Sequence, residues 1–240
     1  MPIVLLMKSA PSTWLPYVLA GVAAVIVIVL LLRGWFERRR SDALAAAAMQ
    51  VGLSFQVEAE ALPPEEMARF HLFTAGHHHR ARNVMRGSSG GLDIVVLDYR
   101  YVTGSGKNQS RHEQTVAAFH LKQAALPGFD LRHENILYKI AALFGYRDIN
   151  IADHPEFSRR YLLRGADEKA VRSLFSSPLV DFFEGLQREK NWSVEGQGKW
   201  LLVYRTRQKT DPAKLPDFLQ ETTTIASAFE KSGGAVKFGW

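Results

Sequence analysis

Three consecutive histidines, His77-His78-His79, are the most conspicuous potential metal ligands in the chain, with His71 close upstream. Adjacent residues alternate in direction on a strand and splay by about 100° on a helix, so three imidazoles in a row do not converge on one ion. Metal sites gather separated ligands, usually with a carboxylate or thiolate in support. The run therefore reads as a solvated basic turn after Gly76, and His77 and His79 are the nearest metal candidates it offers. His112, His120, His133 and His154 are scattered, and nothing in the sequence pairs them. Thr103-Gly104-Ser105-Gly106-Lys107 has the outline of a phosphate-binding loop, but Tyr101 stands where its first glycine belongs and Asn108 where its Ser or Thr belongs. It also joins two strand-like runs, whereas a phosphate cradle uses a helix N-terminus. An exposed basic hairpin loop is the expectation there.

The acids closest to a catalytic pattern are Asp93, Asp98, Glu113, Asp148, Asp153 and Glu156. Asp98 lies within an apolar strand-like run, where Arg100 could supply a salt bridge; buried acids ordinarily have such partners and no chemistry. There is no HExxH pair. No catalytic residue is assigned. A hydrolase or transferase site would have to be assembled from distant residues, with Asp98, Arg100, Asn83 and Glu156 the candidates. The chain has no cysteine, which excludes disulfides, thiolate metal sites and a thiol nucleophile and is compatible with a reducing cytoplasm. Neither a cofactor nor a metal is expected.

The elements that must hold these residues begin with strands. Ala81–Gly87 is a short strand candidate, followed by a Ser88–Gly91 turn. Leu92–Val102 alternates, with Leu92, Ile94 and Val96 on one face and Val95, Leu97, Tyr99 and Tyr101 on the other. Two apolar faces predict a central strand. After a loop at Thr103–Arg111, Gln114–Leu121 completes a long hairpin, and Phe129–His133 adds a third strand. Ile136–Phe144 reads as a short apolar helix stopped at Gly145. Tyr161–Leu163 is a strand. Asp167 then caps a helix burying Val171, Leu174 and Phe175, and Ser177-Pro178 restarts one with Leu179, Phe182, Phe183 and Leu186 at helical spacing. These Phe and Leu stripes are core. Trp192–Glu195 and Lys199–Arg205 form a hairpin around Gly196-Gln197-Gly198. A last helix starts at Asp211-Pro212, buries Leu215, Phe218, Leu219, Ile225 and Phe229, and stops before Gly233-Gly234. The class is α+β: a single transmembrane helix, then a mixed, mainly antiparallel sheet with packed helices.

That membrane helix is the firmest feature. Ser9–Leu32 is 24 residues without a charged side chain, about 36 Å as a helix against a hydrocarbon core of roughly 30 Å. Trp14, Tyr17 and Trp35 mark its edges at headgroup depth. Only Lys8 precedes the span, whereas Arg33, Arg38, Arg39 and Arg40 follow with Glu37 as the one acid, so the N-terminus is expected outside and the rest in the cytoplasm. A cleaved signal peptide would carry its charge on the other side, a shorter apolar run and a small-x-small cleavage site. Ala20 and Ala24 give the small-xxx-small spacing of packed membrane helices, which is commonplace in an alanine-rich span. Ser41 and Asp42 can cap a further helix through Ala45–Ala48 that ends near Gly52 and either continues the membrane helix or bends from it. The first 40 residues hold five basic residues and one acid, a net of +4, and leave +2 of the total +6 for everything after them. The basic balance is thus a lipid-facing collar, and no nucleic-acid partner is expected. Residues 1–40 form the tail, span and collar, 41–232 a cytoplasmic domain with a possible sub-boundary near 148–156, and 233–240 a tail.

Ala81–Gly87, Asp98–Tyr101 with Thr103–Lys107, Gly145–Ile149 and His154–Gly165 together resemble an uncharacterised family of bacterial single-pass membrane proteins with a cytoplasmic domain of unknown function. The resemblance spans about Ser41 to Phe229 and leaves out the histidine triplet and the 235–240 tail. It implies a bacterial inner-membrane setting and brings no reaction, cofactor or site residue. The chain is expected to be a membrane-anchored, non-catalytic module that meets the lipid bilayer and an unidentified protein partner. The rival reading is a membrane-tethered hydrolase or transferase. A third reading is a lipid-binding sheet domain with Lys107 and Arg111 facing headgroups.

Overall fold

Leu92–Thr103 is the strand around which the domain is built. In the computed structural model, which describes residues 14–133, 148–187 and 190–235, it is the third of eight strands in one sheet. In chain order the strands are β1 (Ser54–Gln56), β2 (His77–Ser89), β3 (Leu92–Thr103), β4 (Ser110–His120), β5 (Leu126–His133), β6 (Tyr161–Gly165), β7 (Trp192–Gly198) and β8 (Trp200–Arg205). Their order in space is β1-β2-β3-β4-β8-β7-β5-β6, and every neighbouring pair is antiparallel. The helices are α1 (Leu15–Gln50), α2 (Pro64–Met67), α3 (His71–Thr74), α4 (Pro155–Arg160), α5 (Glu168–Leu174), α6 (Ser177–Gly185) and α7 (Leu215–Ala235). This is the α+β class expected.

The alternation of β3 sorts its side chains as read. Leu92, Ile94 and Val96 enter one core together with Phe129, Phe157, Phe175, Phe183 and Phe229. Val95, Leu97, Tyr99 and Tyr101 enter a second core on the other face with Phe70, Leu72 and Phe73 from α3 and its flank. Each fully buried Phe contributes about 1.5–3 kcal/mol, so the aromatic cluster of the first core is the main apolar stabiliser of the helical layer. Asp167 caps α5 by accepting the Ala170 amide at 2.9 Å, and Asp211 accepts the Ala213 amide at 3.0 Å ahead of α7.

Two compact units divide at Asp42 and Ala43. The 16–50 helical segment, which runs across that division, is long and apolar enough to cross a membrane, and its most apolar stretch is exposed on all sides. Trp14, Tyr17 and Trp35 are exposed, and the Arg39 guanidinium lies 5.1 Å from the Trp35 ring centre. Helix α1 runs unbroken through Ser41, whose hydroxyl donates back to the Glu37 carbonyl at 3.1 Å and does not cap a new helix. In the second unit, Leu44, Ala47 and Ala48 are core residues and the helix ends before Gly52, at φ +74°.

Several expectations are corrected. The histidine run is no turn: β2 starts at His77, and left-handed backbone at His78 and Asn83 (φ 55° and 52°) accompanies two register shifts, the signature of bulges. The Gly196-Gln197-Gly198 stretch belongs to β7, and the turn falls at Lys199. Helix α7 runs through Gly233 and Gly234; a Cβ on Gly233 would lie 2.6 Å from the Ala124 Cβ, so that glycine serves close packing instead of a helix stop. Strand β1 and the short helices α2 and α3 carried no readable pattern. Pairs β5–β6 and β5–β7 place strands from both sides of residues 148–156 in the same sheet. The expected 136–144 helix, Lys8, the first residues of the apolar run and residues 236–240 lie outside the described residues.

Candidate functional site

Strand register brings three ionisable residues together on the α3 face of the sheet. Asp130 of β5 is directly opposite Glu195 of β7, a like-charge pairing that is unfavourable by itself. Arg132, two residues along β5 and therefore on the same face, resolves it. Its guanidinium reaches Asp130 at 2.8 and 2.9 Å and Glu195 at 3.2 Å. Glu195 also accepts the Tyr204 hydroxyl at 2.7 Å and the Leu72 amide at 3.1 Å. Arg132 further donates to His71 Nδ1 at 2.9 Å, which places the His71 proton on Nε2.

Burial sets the charge states. It pushes Glu195 up to about 7, with Asp130 adding to the rise against Arg132, Tyr204 and the Leu72 amide. His71 is pushed down to about 3 by desolvation and then by Arg132 and Arg164, so its imidazole is neutral. Burial works against the Arg132 charge, but the oxygens of Tyr204, Asp130 and Glu195 hold it protonated, its pKa raised overall. Tyr204 is raised well above the ordinary phenol range by burial.

Above this network lies a cleft of about 340 Å³, within the size range of small-ligand pockets. Arg69, His71 and Thr74 border it from the α3 side, Arg164 and Ala166 from the end of β6, and Glu195 and Gln197 from β7, with Phe70 and Phe129 as apolar walls. The lining combines guanidinium, neutral imidazole, amide and carboxylate groups, the donors and acceptors needed to bind a polar ligand by hydrogen bonds. The Thr74 hydroxyl is turned onto the carbonyls of Phe70 and His71, and both Glu195 oxygens are engaged.

The residues singled out from sequence are distributed differently. Asn83 and Asp98 meet at 2.9 Å, and Asp98 also accepts the Thr115 hydroxyl at 2.8 Å. Glu156, exposed on α4, is ion-paired to Arg159. Helix α4 leads into β6, five strands from β3, about 24 Å at the usual strand spacing. Arg100 is opposite Arg80 and Glu113. These four residues therefore do not form one site. His77 and His79 each bond a different main-chain carbonyl, Val102 at 2.9 Å and Ala75 at 3.0 Å. Lys107 lies at the exposed tip of the β3–β4 hairpin, and Arg111 is ion-paired to Glu113 beside it. Arg33, Arg38, Arg39 and Arg40 follow the apolar stretch on α1. His154, unpaired in the sequence reading, faces Asp181 and Glu184 of α6.

Sequence reasoning missed the Arg132–Glu195 network. The available signal was the alternation Phe129-Asp130-Leu131-Arg132 and a lone acid in the apolar run Trp192–Glu195, both read as ordinary strands.

No protein-family model and no curated protein matches this chain. In fold it is similar to the crystal structure of the mycobacterial trehalose monomycolate transport factor A, TtfA. The TM-score is 0.54 at 15% identity, over 81% of this chain and 94% of that one. At that identity the shared property is the fold.

Proposed function

We propose that this chain is a single-pass protein of the bacterial inner membrane, with its N-terminus outside, whose cytoplasmic α+β domain is a non-catalytic module holding a polar ligand or partner group at the membrane face. The observation that carries this reading is the α1 segment: an apolar stretch exposed on every side, bordered by Trp14 and Tyr17 and followed by four arginines. Exposed apolar surface of that extent requires a lipid or protein covering. Tethering raises the effective concentration of any membrane-side contact, so even a weakly binding pocket is useful there. The fold neighbour is named as a trehalose monomycolate transport factor, which supports an accessory, non-catalytic role. Asn83 and Asp98 meet, but Glu156 lies five strands away, so these candidates do not support a hydrolase or transferase site shared among all four.

The cysteine-free sequence makes the test clean. Single cysteines are introduced as Ser9→Cys and Ser105→Cys, the latter at the exposed β3–β4 tip. The protein should resist carbonate extraction. A membrane-impermeant maleimide should label Ser9→Cys in spheroplasts and Ser105→Cys only after permeabilisation. Release by carbonate, or the reverse labelling pattern, contradicts the proposal.

A further inference from the structure

We infer that His154, Asp181 and Glu184 form a binding site for one divalent first-row transition ion of the zinc type. His154 stands at the N-terminal boundary of α4. Asp181 and Glu184 are three residues apart on α6, and so are neighbours on one helix surface. His154 Nδ1 is 3.7 Å from Asp181 Oδ1 and 3.7 Å from Glu184 Oε1, and one ligand atom from each residue lies within 4.8 Å of the others. Donors held at about 2.0–2.1 Å around a tetrahedral ion are about 3.3 Å apart, so closure onto an ion needs only small side-chain adjustments. An imidazole with two carboxylates and no thiolate favours zinc, manganese or iron over magnesium and calcium, which prefer all-oxygen sites.

The surroundings fit the same assignment. The Glu184 carboxylate is positioned by the Phe157 amide at 3.0 Å, and His154 Nε2 lies 3.5 Å from the Ser177 hydroxyl. These outer contacts leave Nδ1 directed at the acids, as in metal sites whose second ring nitrogen is held elsewhere. Among the described residues no lysine or arginine is ion-paired to Asp181 or Glu184. Arg160, the cation that bridges α4 and the end of α6, places its guanidinium on the carbonyls of Phe183, Glu184, Leu186 and Gln187. Two negative charges therefore converge on a single histidine. The Asp181 side chain is 63% exposed against 18% for His154, which keeps a coordination position open to water. An ion here would tie α4 to α6 over the packed Phe157 and Phe183 rings.

A metal-free cluster of the histidine with the two acids is the competing explanation, and direct metal measurement separates them. The full chain in detergent micelles is stripped with chelator and dialysed against micromolar zinc, and bound metal is counted by mass spectrometry. The site predicts one equivalent of zinc per chain and a rise in Tm on loading. Affinity falls by at least about tenfold in Asp181→Asn, is lost in His154→Ala, and is retained in His77→Ala/His79→Ala. Asp181 is largely exposed, so Asp181→Asn decides the matter even where His154→Ala fails to fold. No bound zinc in the wild type, unchanged affinity in Asp181→Asn, or loss in the His77/His79 variant alone each overturns the assignment.

Discussion

At the residue scale, His71 and Glu195 share Arg132 as a partner and respond to pH in opposite senses. Glu195 in the folded chain is raised from 4.5 to about 7. Its contribution to stability is fully present below 4.5 and is lost as pH rises through 7. The His71 imidazole is depressed from 6.5 to about 3, so its contribution is present above 6.5 and is lost as pH falls toward 3. Between pH 4.5 and 6.5 the two slopes oppose each other. Relative to wild type, His71→Gln should lose stability as pH rises across this window and Glu195→Gln should gain it, each by at most about 1.4 kcal/mol per pH unit. Thermal melts of the three proteins at several pH values check this, and parallel profiles would show that the network is not titrating as assigned.

At the element scale, the cleft depends on how β5 and β7 meet. Their register shifts between Leu126 and Phe129, and Gly196 lies opposite Phe129. A Cβ on Gly196 would sit 2.2 Å from the Phe129 ring. That ring is itself held by Phe175 at 5.1 Å and Phe229 at 5.3 Å between centroids, so it has nowhere to withdraw. Gly196→Ala should destabilise the domain by about 1–3 kcal/mol, read from the urea midpoint; an unchanged midpoint would show that the β5–β7 seam is loosely packed. The same seam explains what the sequence could and could not reveal. The two faces of β3 were legible because alternation is local, as were the Asp167 cap and the Phe175 and Phe183 stripes. The Asp130–Glu195 pairing joins residues distant in sequence and has no local signature. Gly233 misled because glycine permits close helix packing as well as helix termination, and only the position of Ala124 distinguishes the two. The histidine run misled because bulges at His78 and Asn83 let a strand accept polar residues that do not alternate.

At the scale of the whole molecule, the arginine collar and the nearly balanced remainder were readable from charge alone, whereas the cleft at the β5, β6 and β7 end emerges only with the sheet assembled. On the proposed function, the cleft is where the domain meets its ligand. Ala166 is exposed at its edge and outside the Arg132 network, so Ala166→Trp should obstruct the cleft while leaving the fold intact. The most direct measurement places a photoreactive residue at Gln197 in native membranes, with the same residue at Ser105 as the control. A discrete adduct is expected from position 197, absent from 105 and lost in the Ala166→Trp background. No adduct from 197, or one that Ala166→Trp leaves unchanged, would contradict this role of the cleft.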